Sequence, residues 1–113
     1  MRLKSALWVA AYLRRCHIEG TSAVVRRRGA EEAGAIFVRI CRLDGTSELF
    51  GPAPQSALET GAGDRMFTAC LVSQRAPDAE IDTYLAREVK FDSDLWILEV
   101  EDPTGRNFLS VIR

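Results

Sequence analysis

The sequence places a thiol and an imidazole side by side, at Cys16 and His17, and this pair is its most direct candidate for catalytic chemistry. A cysteine nucleophile needs a base that faces it. The surrounding stretch is predicted to be helical, and successive residues of a helix point about 100° apart. We therefore interpret His17 as a histidine near a helix C-terminus, where a cation gains from the helix dipole, and we predict no catalytic residue.

Glu88 is a carboxylate on the apolar side of a second predicted helix, between Ile81 and Tyr84 on the helical wheel. A buried carboxylate must be paired or protonated. An ion pair with an arginine from the sheet, such as Arg39, explains this position, and a ligand-binding or catalytic role is the alternative. We favour the ion pair and keep Glu88 as a candidate binding residue.

Other charged clusters have simple explanations. Arg26–Arg28 could form a phosphate or nucleic-acid patch. The net charge of the chain is only -1, however, and no phosphate-binding loop accompanies the triplet. We interpret it as a solvated strand end and do not expect a nucleic-acid partner. The carboxylates near Trp96, including Glu99 and Glu101, are interpreted as ordinary surface acidity.

The three cysteines, Cys16, Cys41 and Cys70, are odd in number and far apart. They are typical of buried thiols in a reducing compartment rather than of disulfides. A zinc site would have to collect all three and His17 from separate elements, so we predict no metal and no cofactor. No apolar run approaches the roughly 18 residues of a membrane span, and we expect a cytoplasmic protein.

A chain of 113 residues is long enough for one hydrophobic core and short for two, so residues 1–113 are predicted to form a single domain. A first helix is predicted over Leu3–Glu19, with Gly20 ending it. Its apolar arc contains Leu3, Ala6, Ala10, Leu13 and His17. The opposite stripe contains the two aromatic residues Trp8 and Tyr12 among charges.

Strands are predicted over Thr21–Arg28 and over Ala35–Leu43 with Thr46–Phe50. The last two flank Asp44-Gly45, which suits a two-residue type I′ hairpin turn. That register places Ile40 opposite Leu49, on the core face with Ile36 and Val38. The other face contains Phe37, Arg39, Cys41, Glu48 and Phe50.

The second half begins with a predicted loop over Gly51–Asp64 and a strand over Arg65–Gln74. Pro77 at the first helical position starts a helix to about Phe91. A last hairpin is predicted from Leu95–Glu101 and Arg106–Val111. The order α-β-β-β-β-α-β-β with two hairpins indicates an α+β fold with a mainly antiparallel sheet and two helices.

Several segments together resemble a bacterial family known as domain of unknown function 1491. The likeness covers nearly the whole chain, and it implies no activity, substrate or catalytic residue, because the family has none established. It rests on Met1–Ser5, Trp8–Cys16, Arg42–Thr46, Gly51–Gln55, Phe91–Trp96 and Glu99–Asp102.

Our leading hypothesis is a small non-enzymatic binding or protein-interaction module, with a homodimer as one form of that interaction. Its surface would be the mixed sheet face around Phe37, Arg39 and Phe50, or the Trp8 and Tyr12 stripe of the first helix. Aromatic residues interleaved with arginine are the types that anchor interfaces. Burial of these groups under a helix is the structural alternative.

The rival hypothesis is an enzyme that binds a small molecule or a phosphoanion. Its pocket would lie between the sheet and the loop over residues 51–64, lined by Arg39, Glu88 and Trp96.

Overall fold

The structure, a computed structural model, describes residues 3–54 and 65–112. A six-stranded mixed sheet is covered by helix α1 on one face and helix α2 on the other. The elements follow the chain as α1 (Ser5–Ile18), β1 (Ser22–Arg27), β2 (Ile36–Cys41), β3 (Thr46–Pro52), β4 (Phe67–Ala69), β5 (Ala76–Pro77), α2 (Asp78–Phe91) and β6 (Trp96–Glu101). No helix in the described ranges has the length and apolar character needed to cross a membrane.

The strand order is β1-β6-β2-β3-β4, and β5 also pairs with β3. Strand β6, the last along the chain, therefore lies between β1 and β2. It runs parallel to β2, while the other four pairings are antiparallel. This confirms the predicted α+β class. The central parallel pair was not predicted, since only neighbouring hairpins were readable from local turns.

Helix α1 buries a different face from the predicted arc. Its buried residues are Ser5, Val9, Tyr12 and Cys16, whereas Leu3 and His17 are exposed. Two of the buried residues are polar and have hydrogen bonds that permit this. Ser5 Oγ donates to the carbonyl of Gly34 at 2.7 Å, and the Tyr12 hydroxyl donates to the carbonyl of Asn107 at 2.6 Å.

The β2–β3 hairpin forms, but its predicted register is wrong by one residue. Ile40 lies opposite Glu48, and Leu49 lies opposite Arg39. The turn has three residues, because Leu43 adopts φ +64° and Gly45 φ +88°, and the Arg42 amide donates to the carbonyl of Thr46. This shift of one residue moves each side chain of β3 to the opposite face of the sheet, because side chains along a strand alternate between the two faces.

The slip has direct consequences for the core. Phe50 joins Ile36 and Val38 beneath α1, while Leu49 joins Phe37 beneath α2. The prediction that Phe50 shares a face with Phe37 and Arg39 is therefore wrong. The residues of that predicted mixed face are divided between the two faces of the sheet, one beneath α1 and the other beneath α2.

Two predicted strands are shorter or absent. Only Phe67–Ala69 of the stretch 65–74 is a strand. Residues 106–111 do not pair with β6; instead Val111 forms a single parallel bridge to Phe67. The Phe67 amide donates to the carbonyl of Ser110, and the Ile112 amide donates to the carbonyl of Phe67, both at 2.8 Å. The C-terminal segment thus covers the β4 edge of the sheet.

Part of the loop predicted after β3 belongs to that strand, whereas the second predicted helix forms. Gly51 and Pro52 complete β3, and residues 55–64 of the predicted loop lie outside the described part of the chain. Helix α2 is confirmed, beginning at Asp78 with Pro77 as its N-cap. Asp78 and Glu80 in the first turn suit the positive end of the helix dipole.

The turn after β6 is held by Asp102, which is 2% exposed. Its Oδ1 accepts hydrogen bonds from the amide and hydroxyl of Thr104, and its Oδ2 accepts one from Arg106 Nε at 2.6 Å. Burial alone would raise the pKa of Asp102, but these donors outweigh it and lower the pKa to about 2. The ionised carboxylate therefore stabilises the fold.

This turn predicts a specific loss of stability in acid. Because the folded pKa is about 2 and the usual value is 3.8, the stabilisation is complete above about pH 4 and is lost as pH falls toward 2. We expect Asp102→Asn to lower the free energy of unfolding by about 1–2 kcal/mol at pH 7 and by little at pH 2. Urea denaturation across this range checks it. The control is Asp44→Asn, at an exposed turn, and an equal loss in both variants would contradict the prediction.

Candidate functional site

The two sheet residues predicted to line one pocket lie on opposite faces of the sheet. Trp96 pairs with Ile36 and packs beneath α1, whereas Arg39 faces α2. They cannot line one pocket, so the predicted convergence is wrong. Trp96 is 1% exposed, and its Nε1 donates to the carbonyl of Ala30 at 2.8 Å. Its role in the structure is to fill the core.

Arg39 is a buried cation held by the start of α2. Its guanidinium forms ion pairs with Asp78 and Asp82, and its Nε donates to Ser47 Oγ at 3.2 Å. Burial alone would lower the pKa of Arg39, but the hydrogen bonds that Arg39 donates to Asp82 and Asp78 hold the pKa above the usual value. The cluster fastens α2 to the sheet.

Glu88 does not pair with Arg39, contrary to the ion pair favoured from the sequence. It lies half-buried on α2 near Tyr84, which lies near Cys70. Burial, and then the neighbouring Cys70 and Glu88, raise the pKa of Tyr84 to about 12. Burial also raises the pKa of Cys70 to about 11, against a hydrogen bond with Tyr84 that lowers it. A thiol with so high a pKa is a poor nucleophile at neutral pH.

The aromatic stripe of α1 packs inward rather than forming an open surface. The rings of Trp8 and Tyr12 stack with centroids 4.9 Å apart, and Trp8 also contacts Phe67 at 5.2 Å. Tyr12 is 5% exposed, and burial raises its pKa far above the usual range. Binding roles for Trp8, Tyr12, Arg39, Glu88 and Trp96 stay predictions, and the structure gives each of them an internal partner.

The basic triplet also has partners within the chain. Arg26 bonds Glu99 at 3.0 Å, Arg27 donates to the carbonyl of Ser93, and the Arg28 guanidinium lies 5.1 Å from the Trp96 ring centroid. The three side chains therefore extend along the sheet rather than form one cluster for phosphate.

A buried ion pair that the sequence did not predict joins Arg42 and Glu48. Arg42 Nη1 lies 3.0 Å from Glu48 Oε2, and Arg42 Nε donates to the carbonyl of Pro103. Gly105 lies directly above the pair at φ +82°. The positive φ favours glycine, and a Cβ there would come within 2.7 Å of Glu48 Oε2, so that the carboxylate would have to shift. In the sequence, the signal for this ion pair was Glu48, a glutamate with apolar neighbours inside a predicted strand.

A cleft of about 710 Å³ opens beside this pair, between β3 and the two segments around residues 71–74 and 105–112. Its lining is mixed, with one carboxylate, several amides and hydroxyls, and aliphatic side chains. The lining includes Glu48, Thr68, Leu71, Gln74, Asn107 and Val111. None of the predicted binding residues lines it.

The edge of the sheet at β1 is open. Within the described residues β1 pairs with β6 on one side and with no strand on the other, whereas the β4 edge is covered by residues 110–112. The open strand exposes Val24 by 42% and Val25 by 38%. These valines project to opposite faces, since Val24 pairs with Glu99 and Val25 with Leu98.

The fold and these surfaces define a small α+β domain that has one open sheet edge and whose buried ionisable groups are engaged structurally. The chain belongs to the DUF1491 family, described as a protein of unknown function, which matches residues 3–110. This confirms the family resemblance read from the sequence.

Solved structures of related chains have the same fold. A crystal structure of a DUF1491 family protein from Caulobacter crescentus CB15 is 34% identical with a TM-score of 0.80, and each chain is covered completely. The solution structure of protein Atu0922 from A. tumefaciens is 42% identical with a TM-score of 0.82, covering 99% of this chain and 96% of that one. No curated protein matches the sequence.

The Gly105 contact predicts a difference between two glycines with nearly the same backbone. Gly20 and Gly105 adopt φ +81° and +82°, but a Cβ at Gly20 meets nothing within 4 Å. We expect Gly20→Ala to cost about 1–2 kcal/mol from conformation alone. Gly105→Ala should cost about 1 kcal/mol more, because the ends of the Glu48 and Arg42 side chains must also shift and their hydrogen bond is strained. Urea denaturation of both variants measures this, and equal losses would contradict it.

Proposed function

We propose that this protein is a small non-enzymatic protein-interaction module that binds an extended polypeptide segment at the open edge of β1. The observation that carries the proposal is the difference between the two sheet edges. Residues 110–112 bond to the β4 edge through their backbone, whereas among the described residues no strand pairs with the outer side of β1, where the His17 side chain bonds the Ala23 carbonyl. An uncovered edge presents unpaired amide and carbonyl groups, which an added strand can satisfy.

The side chains of β1 support strand addition. Val24 and Val25 supply exposed apolar surface on the two faces, so an incoming strand gains contacts on both sides. Arg28 is exposed just past the end of the strand, and Arg26, also exposed, is ion-paired with Glu99. The charge of Arg28 favours a segment that carries acidic residues and disfavours a basic one.

The engagement of the ionisable groups argues against an enzyme. Arg39 and Glu48 each have an oppositely charged partner, and the pKa of Cys70 is raised to about 11. Activated nucleophiles and general bases require the opposite, a pKa near the working pH and a free face toward a substrate.

A second candidate is a small-molecule site in the cleft beside Glu48. Its volume of about 710 Å³ falls in the range of ligand pockets, and its lining combines aliphatic and polar groups. A fragment screen by NMR should then shift the amides of Thr68, Gln74 and Asn107 together. Fragments that shift residues across the whole surface would count against this candidate.

Strand addition is tested by titrating a six-residue peptide of alternating valine and threonine with a glutamate at each end. We expect shift changes and slowed amide exchange confined to Ser22–Arg27 and to the neighbouring strand β6. A matched peptide with lysine at each end should bind at least about tenfold more weakly, because it repels the arginines. Equal binding of both peptides, or changes outside β1 and β6, would contradict the proposal.

A further inference from the structure

We infer that a pocket between α1 and the C-terminal segment, residues 106–112, binds a small aromatic carboxylate. The volume of this pocket is about 290 Å³. None of its lining residues lies on β1, so the inference goes beyond strand addition and does not depend on it. The lining residues that carry rings or side-chain hydrogen-bond donors are Trp8, Tyr12, Arg15, Arg65, Phe108 and Ser110.

Helix α1 forms one wall of this pocket. Trp8, Tyr12 and Arg15 follow one another at intervals of one turn, so their side chains share one side of the helix. Trp8 is half-buried, and its ring stacks on the ring of Tyr12 with centroids 4.9 Å apart. The stacked pair gives this wall a fixed apolar surface.

The C-terminal segment forms the opposite wall and is anchored on both sides of Phe108. The carbonyl of Asn107 accepts a hydrogen bond from the Tyr12 hydroxyl at 2.6 Å, and the carbonyl of Ser110 accepts one from the Phe67 amide at 2.8 Å. Between these anchors Phe108 adopts φ +56°, which a bulky side chain rarely does. Backbone strain of this kind is concentrated at ligand clamps, and the strained residue lines the pocket.

The described lining contains two basic residues and no acidic one. Arg65 is buried, and its Nη2 donates to the carbonyl of Leu3 and to Ser5 Oγ, both at 3.0 Å. These bonds already engage that end of the Arg65 guanidinium. The contact with a ligand is therefore assigned to Arg15, which is exposed.

Arg15 has its side-chain donors available. Its guanidinium carbon lies 5.7 Å from the centroid of the Phe108 ring, and a contact with a ring face uses none of the N–H groups. Within the part of the chain that the structure describes, the Arg15 side chain forms no ion pair, even with Glu19 one turn later. Arg106, on the same ring at 5.5 Å, is by contrast bonded to Asp102.

These features fit a carboxylate attached to a planar ring. The guanidinium fork of Arg15 matches the two oxygens of a carboxylate. The Ser110 hydroxyl, which has no hydrogen-bond partner among the described residues, supplies a further donor. Trp8 and Phe108 give the ligand ring apolar contact area.

The size of the pocket restricts the ligand further. Its volume lies at the lower end of the range of ligand pockets, roughly 300–1,000 Å³. One ring or two fused rings with a carboxylate suit this volume better than a nucleotide, which adds a sugar and a phosphate to its base.

The ligand class is tested with 2-naphthoate as the anionic probe and 2-naphthamide as its neutral counterpart of the same shape. We expect 2-naphthoate to bind with a Kd on the order of 1 mM and to shift the NMR signals of Trp8, Arg15, Phe108 and Ser110 together. The amide should bind about fivefold more weakly, because it lacks the charge that pairs with Arg15. Inorganic phosphate should bind more weakly than 2-naphthoate, because it gains nothing from the rings.

The contact with Arg15 is tested with Arg15→Gln, and the neighbouring Arg14→Gln is the matched control. Arg14 is also exposed on α1 but does not line the pocket. Arg15→Gln should weaken 2-naphthoate about fivefold and leave 2-naphthamide unchanged, whereas Arg14→Gln should leave both Kd values unchanged. Phe108→Asn keeps a residue type that tolerates positive φ but removes the ring, so it should weaken both probes. Amide NMR spectra check that each variant folds.

The opposite results would overturn the inference. Equal affinities for the acid and the amide, or equal effects of the two arginine variants, would exclude the contact between Arg15 and a carboxylate. Phosphate binding as tightly as 2-naphthoate would exclude the role of the rings. No binding of 2-naphthoate at about 10 mM, or shifts centred on Thr68 and Gln74, would exclude this pocket and leave strand addition at β1 to its own peptide test.

Discussion

The architecture depends on the requirement that charges removed from water be paired. Four charged residues are buried among those described, and each is hydrogen-bonded. Arg39 bonds to Asp78 and Asp82 of α2, and Arg65 bonds to Leu3 and Ser5. Glu48 bonds to Arg42 of the same hairpin, and Asp102 bonds to Thr104 and Arg106 of its own turn. The bonds of Arg39 join α2 to β2, and the bonds of Arg42 join the turn at Gly105 to the β2–β3 hairpin. Removing one partner would leave the other as an uncompensated buried charge.

The residues that stood out in the sequence have partners within the structure. Arg39 is paired with Asp78 and Asp82, and Trp96 Nε1 donates to the Ala30 carbonyl. With the interior groups engaged, the features that remain for recognition lie at the surface. The open backbone of β1 and the cleft beside Glu48 are both surfaces of this kind.

Local chemistry made much of the fold predictable. Both helices, the β2–β3 hairpin and the family membership could be read from the sequence, because caps, turns and periodicity are short-range signals. The register was not predictable, since φ +64° at Leu43 adds a residue to a turn that Asp44-Gly45 alone suggests. The insertion of β6 depends on contacts between the two ends of the chain, which no local pattern encodes. The open edge could be recognised only once that insertion was known.

The position of β6 also determines the order in which the protein can fold. Strands β1 and β2 are separated by β6, so they have no direct contact in the sheet and must wait for a segment that is made after them. The two most extensive ladders close long loops, which is entropically costly before any contact rewards it. Folding is therefore expected to be slow, and the sheet cannot be completed before β6 has been synthesised. Until β6 arrives, the edges of β1 and β2 are both exposed, and a chaperone would find its substrate in that interval.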